Sequence, residues 1–185
     1  MIKLTARMLQ ELIFHEAIVL EAYKDSVGVW TWSVGITNSS GHLVHPRYKD
    51  KPASLEKCLR VFEWVCRNKY LPAVNEVFDG FNLSEAQAAA ALSFHYNTGG
   101  LRRASWARLW KEGDVERAHK AFMNWRKPPE IVSRREKERD LFFEGTWTND
   151  GLATIYGVKK PGYSPDFGSA RRESIDELLQ DILSQ

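Results

Sequence analysis

Glu16, Asp25 and Thr31 follow one another at intervals of nine and six positions, and their types suit the cutting of a glycosidic bond. That reaction uses one carboxylic acid to protonate the leaving oxygen and, in most cases, a second carboxylate to activate water or attack carbon. A carboxyl at a helix end beside apolar Ile13 and Phe14 is expected to stay protonated near neutrality, while one in a solvated turn ionises. Glu16 is then the candidate acid and Asp25 the candidate base, with Thr31 placed to share a water with Asp25. Blander readings stand beside this one. A Glu near a helix terminus is commonly a solvated charge, Asp before Ser-x-Gly is commonly a turn former, and Thr is an ordinary strand residue. Glu21, the third acid of the stretch, is read as solvated.

The elements that must position these residues are legible around them. Leu4, Met8, Leu12 and Ile13 recur at helical spacing after a Thr5 cap, predicting a helix that stops near His15 to Glu16. From Glu21 to Leu43 the pattern is short, β-branched and aromatic, broken by the turn clusters DSVG and NSSG, which predicts a small antiparallel sheet. With the turn centred near Val27, Asp25 lies opposite Val29, and the diagonal to Thr31 is about 7 to 8 Å at the backbone. Alternation puts Val29, Thr31 and Ser33 on one face and Trp30, Trp32 and Val34 on the other.

The rest of the chain reads as helix. Ser54 to Phe78 predicts one long connecting helix with a kink or break at Pro72. Ser84 with Gln87 forms a capping box ahead of a helix stopped by Gly99 and Gly100, and Asp114 caps a segment interrupted at Pro128 and Pro129. Ser133 with Glu136 predicts a second capping box, opening a helix that closes at Gly145. Residues 146 to 169 carry no clear periodicity and read as a lasso or linker. Ser174 with Glu177 caps an expected final helix.

At 185 residues the chain suits one domain, with room for two lobes and a core that requires no staples. A formal charge of +2 is too mild to announce a nucleic-acid binder, though it suits approach to an anionic polymer. Seven tryptophans fit either a wide core or a cleft that stacks flat apolar faces. Cys58 and Cys66, eight positions apart on a predicted helix, would stand about 12 Å apart, beyond disulfide reach, and read as buried thiols in a reducing compartment. The amino terminus lacks a signal-peptide apolar stretch, and no run of about 18 apolar residues occurs, so the expectation is a soluble cytoplasmic protein. No HExxH sequence is present, so metallopeptidase chemistry lacks its ligands.

The string from Glu16 to Thr31, with eight residues between Glu and Asp and five between Asp and Thr, resembles the active-site signature of the tailed-phage lysozymes, the family 24 glycoside hydrolases. AYKDSVGVWT resembles that family's AY-x-D-x-x-G-x-x-T hairpin, LSFHYNTGG its helix ending in Asn-x-Gly, and SRREKERDLF its late Arg-Arg-x-x-Glu helix. The resemblance implies an α+β, lysozyme-like fold: a mostly helical lobe plus a small antiparallel β-sheet lobe with a cleft between them. It covers residues 1–146 as the catalytic domain and leaves residues 147–185 as an extension of unknown role. The activity implied is that of an endolysin muramidase that cuts between N-acetylmuramic acid and N-acetylglucosamine in peptidoglycan, with inversion. Glu16 would be the general acid, Asp25 the base that positions water, and Thr31 its helper, with no metal or organic cofactor implied. The implied partner is bacterial peptidoglycan, met by a monomer without nucleic acid or stable membrane insertion. The enzyme would be made in the bacterial cytoplasm and reach the wall after membrane permeabilisation.

The family pattern is not followed throughout. TWSVGIT replaces the usual T-I-G-Y-G-H-T, and Glu130-Ile131-Val132 replaces the usual Gly-Leu before the Arg-Arg helix. Asn97 is a candidate for a hydrogen bond to sugar, with a helix-ending polar role as its alternative. Tyr23, Trp30 and Trp32 are candidates for stacking on pyranose rings and His95 for lining the same wall, against plain core roles. Arg134 and Arg135 are read as structural ties to carboxylates. Competing functions are a lytic transglycosylase, a chitinase-like hydrolase, and a glycan-binding or virion module without catalysis.

Overall fold

Local capping starts the chain's first element. The Thr5 hydroxyl oxygen accepts the Met8 amide at 3.2 Å, and α1 (Ala6–Glu16) follows with Met8, Leu9, Leu12 and Ile13 buried on one stripe. At Ala17, held at φ 60°, the chain passes into β1 (Ile18–Lys24), β2 (Trp30–Ser33) and the short β3 (Ile36–Thr37). Next come α2 (Leu55–Val65), a π-helical stretch (Cys66–Tyr70) and α3 (Leu71–Val77). The expected break in this long helix therefore lies ahead of Pro72, which sits in the first turn of α3, where its missing N–H costs nothing. Then follow α4 (Glu85–Thr98), α5 (Ser105–Lys111), α6 (Val115–Phe122), α7 (Val132–Glu144), β4 (Leu152–Lys159), β5 (Ser164–Ser174) and α8 (Asp176–Leu183). This computed structural model describes residues 1–185.

The chain divides into two units. Thr5–Arg67 joins Asn149–Gln185 in one, and Met1–Leu4 joins Asn68–Thr148 in the other. The first unit holds a five-stranded sheet in the order β3-β2-β1-β4-β5. The β1–β2 and β2–β3 pairs are antiparallel, as their short turns dictate. The β1–β4 pair is parallel, Ile18 facing Ile155, which is possible because the whole helical unit intervenes in sequence.

Residues 152–174 thus form a hairpin rather than the lasso that their composition suggests. The reason lies in β5, an edge strand with almost every side chain exposed, held by its backbone ladder to β4. It has no buried face, so no apolar alternation marks it. In β4 only Ala153 and Ile155 are buried. The expected caps at Ser133 and Ser174 are also replaced. A 3-10 turn at Pro129–Ile131 starts α7 early, leaving Ser133 inside it, and α8 begins after Ile175 without a side-chain cap. Gln10 Nε2 donates to Asp176 at 3.0 Å, and Asn149 donates its backbone and side-chain N–H groups to Glu11 at 3.0 and 2.7 Å. These bonds bind the extension to α1.

The helical unit packs around aromatic rings. Trp106 meets Phe122 at 4.6 Å, Phe142 at 4.9 Å and Phe94 at 5.3 Å between centroids, in tilted or edge-on geometry. Gly100 is buried against Trp125, and an added Cβ would fall inside contact distance of the indole. Gly100→Ala is therefore expected to destabilise the protein by about 1–3 kcal/mol through overpacking, measured by urea unfolding.

Cys58 and Cys66 are both free and buried, and burial pushes the Cys58 thiol up to about 12. No helix is long and apolar enough to cross a membrane.

Candidate active site

The β1–β2 hairpin brings three of the candidate residues, Tyr23, Asp25 and Thr31, to one face. Tyr23 pairs directly with Thr31, and Lys24 with Trp30. One step further, the Asp25 amide donates to the Val29 carbonyl at 3.0 Å. Residues 23, 25, 29 and 31 therefore share one face. Gly28 takes φ 83° inside the turn, a conformation that glycine adopts without Cβ strain.

The polar atoms of this hairpin are already partly committed. Asp25 Oδ1 accepts the amides of Val27 at 3.0 Å and Val29 at 2.8 Å. The carboxylate is oriented by its own turn, and Oδ2 is the oxygen that no protein donor holds. Thr31 is 4 % exposed, and its hydroxyl donates to the Val29 carbonyl at 3.1 Å. With its proton committed, that oxygen can accept a hydrogen bond from water.

Glu16 ends α1 at intermediate exposure. In the hairpin, the Tyr23 phenol is pushed up to about 12 by burial first, then by the charges of Glu16 and Asp25. Both carboxylates therefore act on one phenol. Beside Glu16, His15 lies 3.8 Å from Glu11, both side chains buried.

Trp32 corrects the stacking expectation. It is fully buried, lies flat on Tyr48 at 3.7 Å with 4° between the planes, and donates its indole N–H to the Leu20 carbonyl at 3.0 Å. With its ring packed inside, it has no face to offer a sugar. The rest of the departing TWSVGIT stretch is likewise packing: Val34 and Ile36 are fully buried, and Ser33, at φ 57°, donates to the Cys58 carbonyl at 3.1 Å. Trp30 is half-buried, with His45 stacked on it at 4.5 Å and Tyr163 edge-on at 5.2 Å. Glu21, read as solvated, instead pairs with Lys160 at 2.9 Å, its side chain 14 % exposed. Lys160, Tyr163, His45 and Asp50 carry no motif that would have singled them out.

The remaining candidates lie in the helical unit. His95 is a core residue rather than a wall residue: it is buried, edge-on to Tyr70 at 5.6 Å, and burial, then Arg102, holds its pKa down. Asn97 is exposed, and its Oδ1 accepts from Arg135 Nη2 at 2.5 Å. It lines a pocket of about 340 Å³ with Thr98, Asn124, Trp125, Lys127, Pro128 and Ile131. Behind it, Arg135 also donates to the Trp125 carbonyl at 3.0 Å and pairs with buried Glu138, which accepts further from Arg134 at 2.9 Å and Ser93 at 2.6 Å. Arg134 and Arg135 thus tie α7 to α4. His119, Asp140 and Glu144 have metal-ligating atoms within 4.8 Å of one another, but Asp140 Oδ1 is already held by Arg139 at 2.8 and 2.7 Å.

The family model described as phage lysozyme matches residues 14–138. Among solved structures, the chain is similar to an endolysin from Escherichia coli O157:H7 phage FAHEc1, with TM-score 0.70 and 20% identity over 80% of this chain and 98% of that one. A mutant lysozyme of phage P22 matches with TM-score 0.63 and 22% identity over 77% and 99% of the two chains. The muramidase domain of SpmX from Asticaccaulis excentricus matches with TM-score 0.61 and 21% identity over 76% and 97%. At these identities the structural likenesses establish the α+β, lysozyme-like fold. No curated protein sequence matches the chain.

Proposed function

Because the chain belongs to the phage lysozyme family, whose members are peptidoglycan-lysing glycoside hydrolases, we propose that it is an endolysin muramidase cutting the β-1,4 bond from N-acetylmuramic acid to N-acetylglucosamine. The observation that carries this reading is the β1–β2 hairpin, which sets Asp25 and Thr31 on one face with Asp25 Oδ1 held by the Val27 and Val29 amides. Glu16 ends α1 with only Ala17 between it and β1.

Glu16 protonates the leaving glycosidic oxygen, and Asp25 Oδ2 takes a proton from water as that water attacks the anomeric carbon. Thr31 accepts a hydrogen bond from the same water, its own proton being engaged by the Val29 carbonyl. Attack by water on the face opposite the leaving group inverts the anomeric carbon. Tyr23 and Trp30 contribute substrate contacts from the hairpin. Residues 1–146 carry the proposed catalytic residues, and residues 149–185, rather than standing apart as an extension, pack into one unit with residues 5–67. The protein acts as a monomer, is made in the cytoplasm of the infected or lysogenic bacterium, and reaches the wall after the membrane is breached. No cofactor enters the scheme.

The test is mass spectrometry of muropeptides released from purified sacculi. Hydrolysis leaves reducing ends that have gained a water, released in the α configuration at first. Anhydro-muramyl ends would assign the chain to the lytic transglycosylases instead. Wall binding without soluble product would make it a glycan-binding module.

A further inference from the structure

Strand β1 ends one residue before Asp25, and its last residue is held from outside the family match. The Lys24 amide donates to the Tyr163 carbonyl at 2.6 Å, so the turn between β4 and β5 supplies the hydrogen bond next to the candidate base. Side chains pin that turn in place. The Tyr163 hydroxyl donates to both oxygens of Asp50 at 3.0 and 2.9 Å. Lys160 Nζ lies 2.5 Å from Asp50 and 2.9 Å from Glu21, itself a β1 residue. The Tyr163 ring also meets Trp30, the partner of Lys24 across the hairpin.

Two backbone conformations mark the same contact. Tyr163 and Asp50 both sit at φ 57°, where a Cβ is disfavoured by about 1–2 kcal/mol per residue. Such residues persist when their surroundings over-determine them, and they cluster where geometry is held for a purpose. Here the two strained residues are the two ends of one hydrogen bond. Hydrogen bonds from Lys160, then Tyr163, hold the Asp50 carboxyl below its usual range, consistent with a charged anchor.

We infer that the tip of the β4–β5 hairpin, through Lys160 and Tyr163, is a positioning device that holds the Asp25 turn in its working geometry. The inference rests on the proposed role of Asp25 as base. The Asp25 carboxylate is fixed within its own turn by the Val27 and Val29 amides, so what remains to be set is the direction in which the whole turn leaves β1. A two-stranded hairpin alone is marginal in water. The Lys24 hydrogen bond gives β1 a partner on the side away from β2 at its final residue, well beyond the Ile18 and Val19 pairs with β4. Lys160 and Tyr163 touch no reacting atom in the proposed scheme and act through Asp25.

The variants are Tyr163→Phe, Lys160→Ala and Lys160→Arg in the full chain, assayed for turnover on peptidoglycan, for melting, and for amide exchange at Lys24 and Asp25. Tyr163→Phe removes a single oxygen and leaves the ring packing. Because misplacement of a catalytic group by about 1 Å can cost about 100-fold, Tyr163→Phe and Lys160→Ala are expected to lower kcat about 10-fold with KM within about twofold. Exchange should quicken at Lys24 and Asp25 while the helical unit is unaffected, and Lys160→Arg should restore most of the rate. Wild-type kcat in both Tyr163→Phe and Lys160→Ala overturns the inference, as does a loss that appears only with lowered melting and uniformly faster exchange. A Glu16→Gln control separates the two levels. If that variant turns over normally, the catalytic reading fails. If it is dead while the tip variants match wild type, only the positioning role fails.

Discussion

Glu16→Gln is expected to lower turnover on peptidoglycan by about 10²- to 10⁴-fold, the range associated with a lost general acid, while the melting temperature stays close to that of wild type. Gln matches Glu in size and keeps its place at the end of α1, but it has no acidic proton to give the leaving oxygen. Asp25→Asn should produce a loss of the same order, and the hairpin explains why it is a clean probe. The Asn carbonyl oxygen can still accept the Val27 and Val29 amides that Asp25 Oδ1 accepts, so the turn survives. What disappears is the charge on Oδ2, and with it the base. Steady-state turnover and thermal melting on the same preparations decide the matter. Wild-type rates in either variant would remove that residue from the chemistry.

Arg135→Ala is the stability counterpart. The Arg135 side chain is fully buried, and so is that of Glu138. Its guanidinium spans three partners on different segments: Glu138 on α7, the Trp125 carbonyl ahead of it, and Asn97 on α4. It also lies 4.8 Å from the centre of the Phe94 ring. Truncation leaves buried Glu138 with Arg134 as its one cationic partner, and breaking a buried pair costs about 3–5 kcal/mol. In a chain of this length each kcal/mol lowers the midpoint by about 2–4 °C. Arg135→Lys recovers only part of this, because one ammonium cannot reproduce a planar fork aimed in three directions. Urea unfolding followed by far-UV circular dichroism gives the comparison. A loss within the range of a surface pair, about 0–1 kcal/mol, would show that the network does not hold α4 to α7.

Much of the local structure was legible because it depends on residues a few positions apart. The Thr5, Ser84 and Asp114 caps appear where their spacing places them, and the turn centred at Val27 sets Asp25 against Val29. The Ser133 and Ser174 caps failed for a physical reason. Each is a local option that lost to a neighbour: the Pro129–Ile131 turn opens α7 before Ser133 is reached, and Ser174 is still in β5. Burial was harder to read, since Trp30 and Trp32 are both tryptophans on one short strand. Only the arrival of Tyr48 against Trp32 makes one of them a core residue, and nothing within the strand encodes that arrival.

The sequence by itself determined the order and spacing of Glu16, Asp25 and Thr31, the turn that orients the Asp25 carboxylate, and the helices that carry the rest, since each follows from backbone preferences and side-chain reach over a few residues. Tertiary structure alone decided that residues 152–174 complete the sheet and that Tyr163 meets Asp50, 113 positions away. An edge strand with no buried face leaves no hydrophobic period to read, and a hydrogen bond between distant loops exists only once the intervening chain has folded.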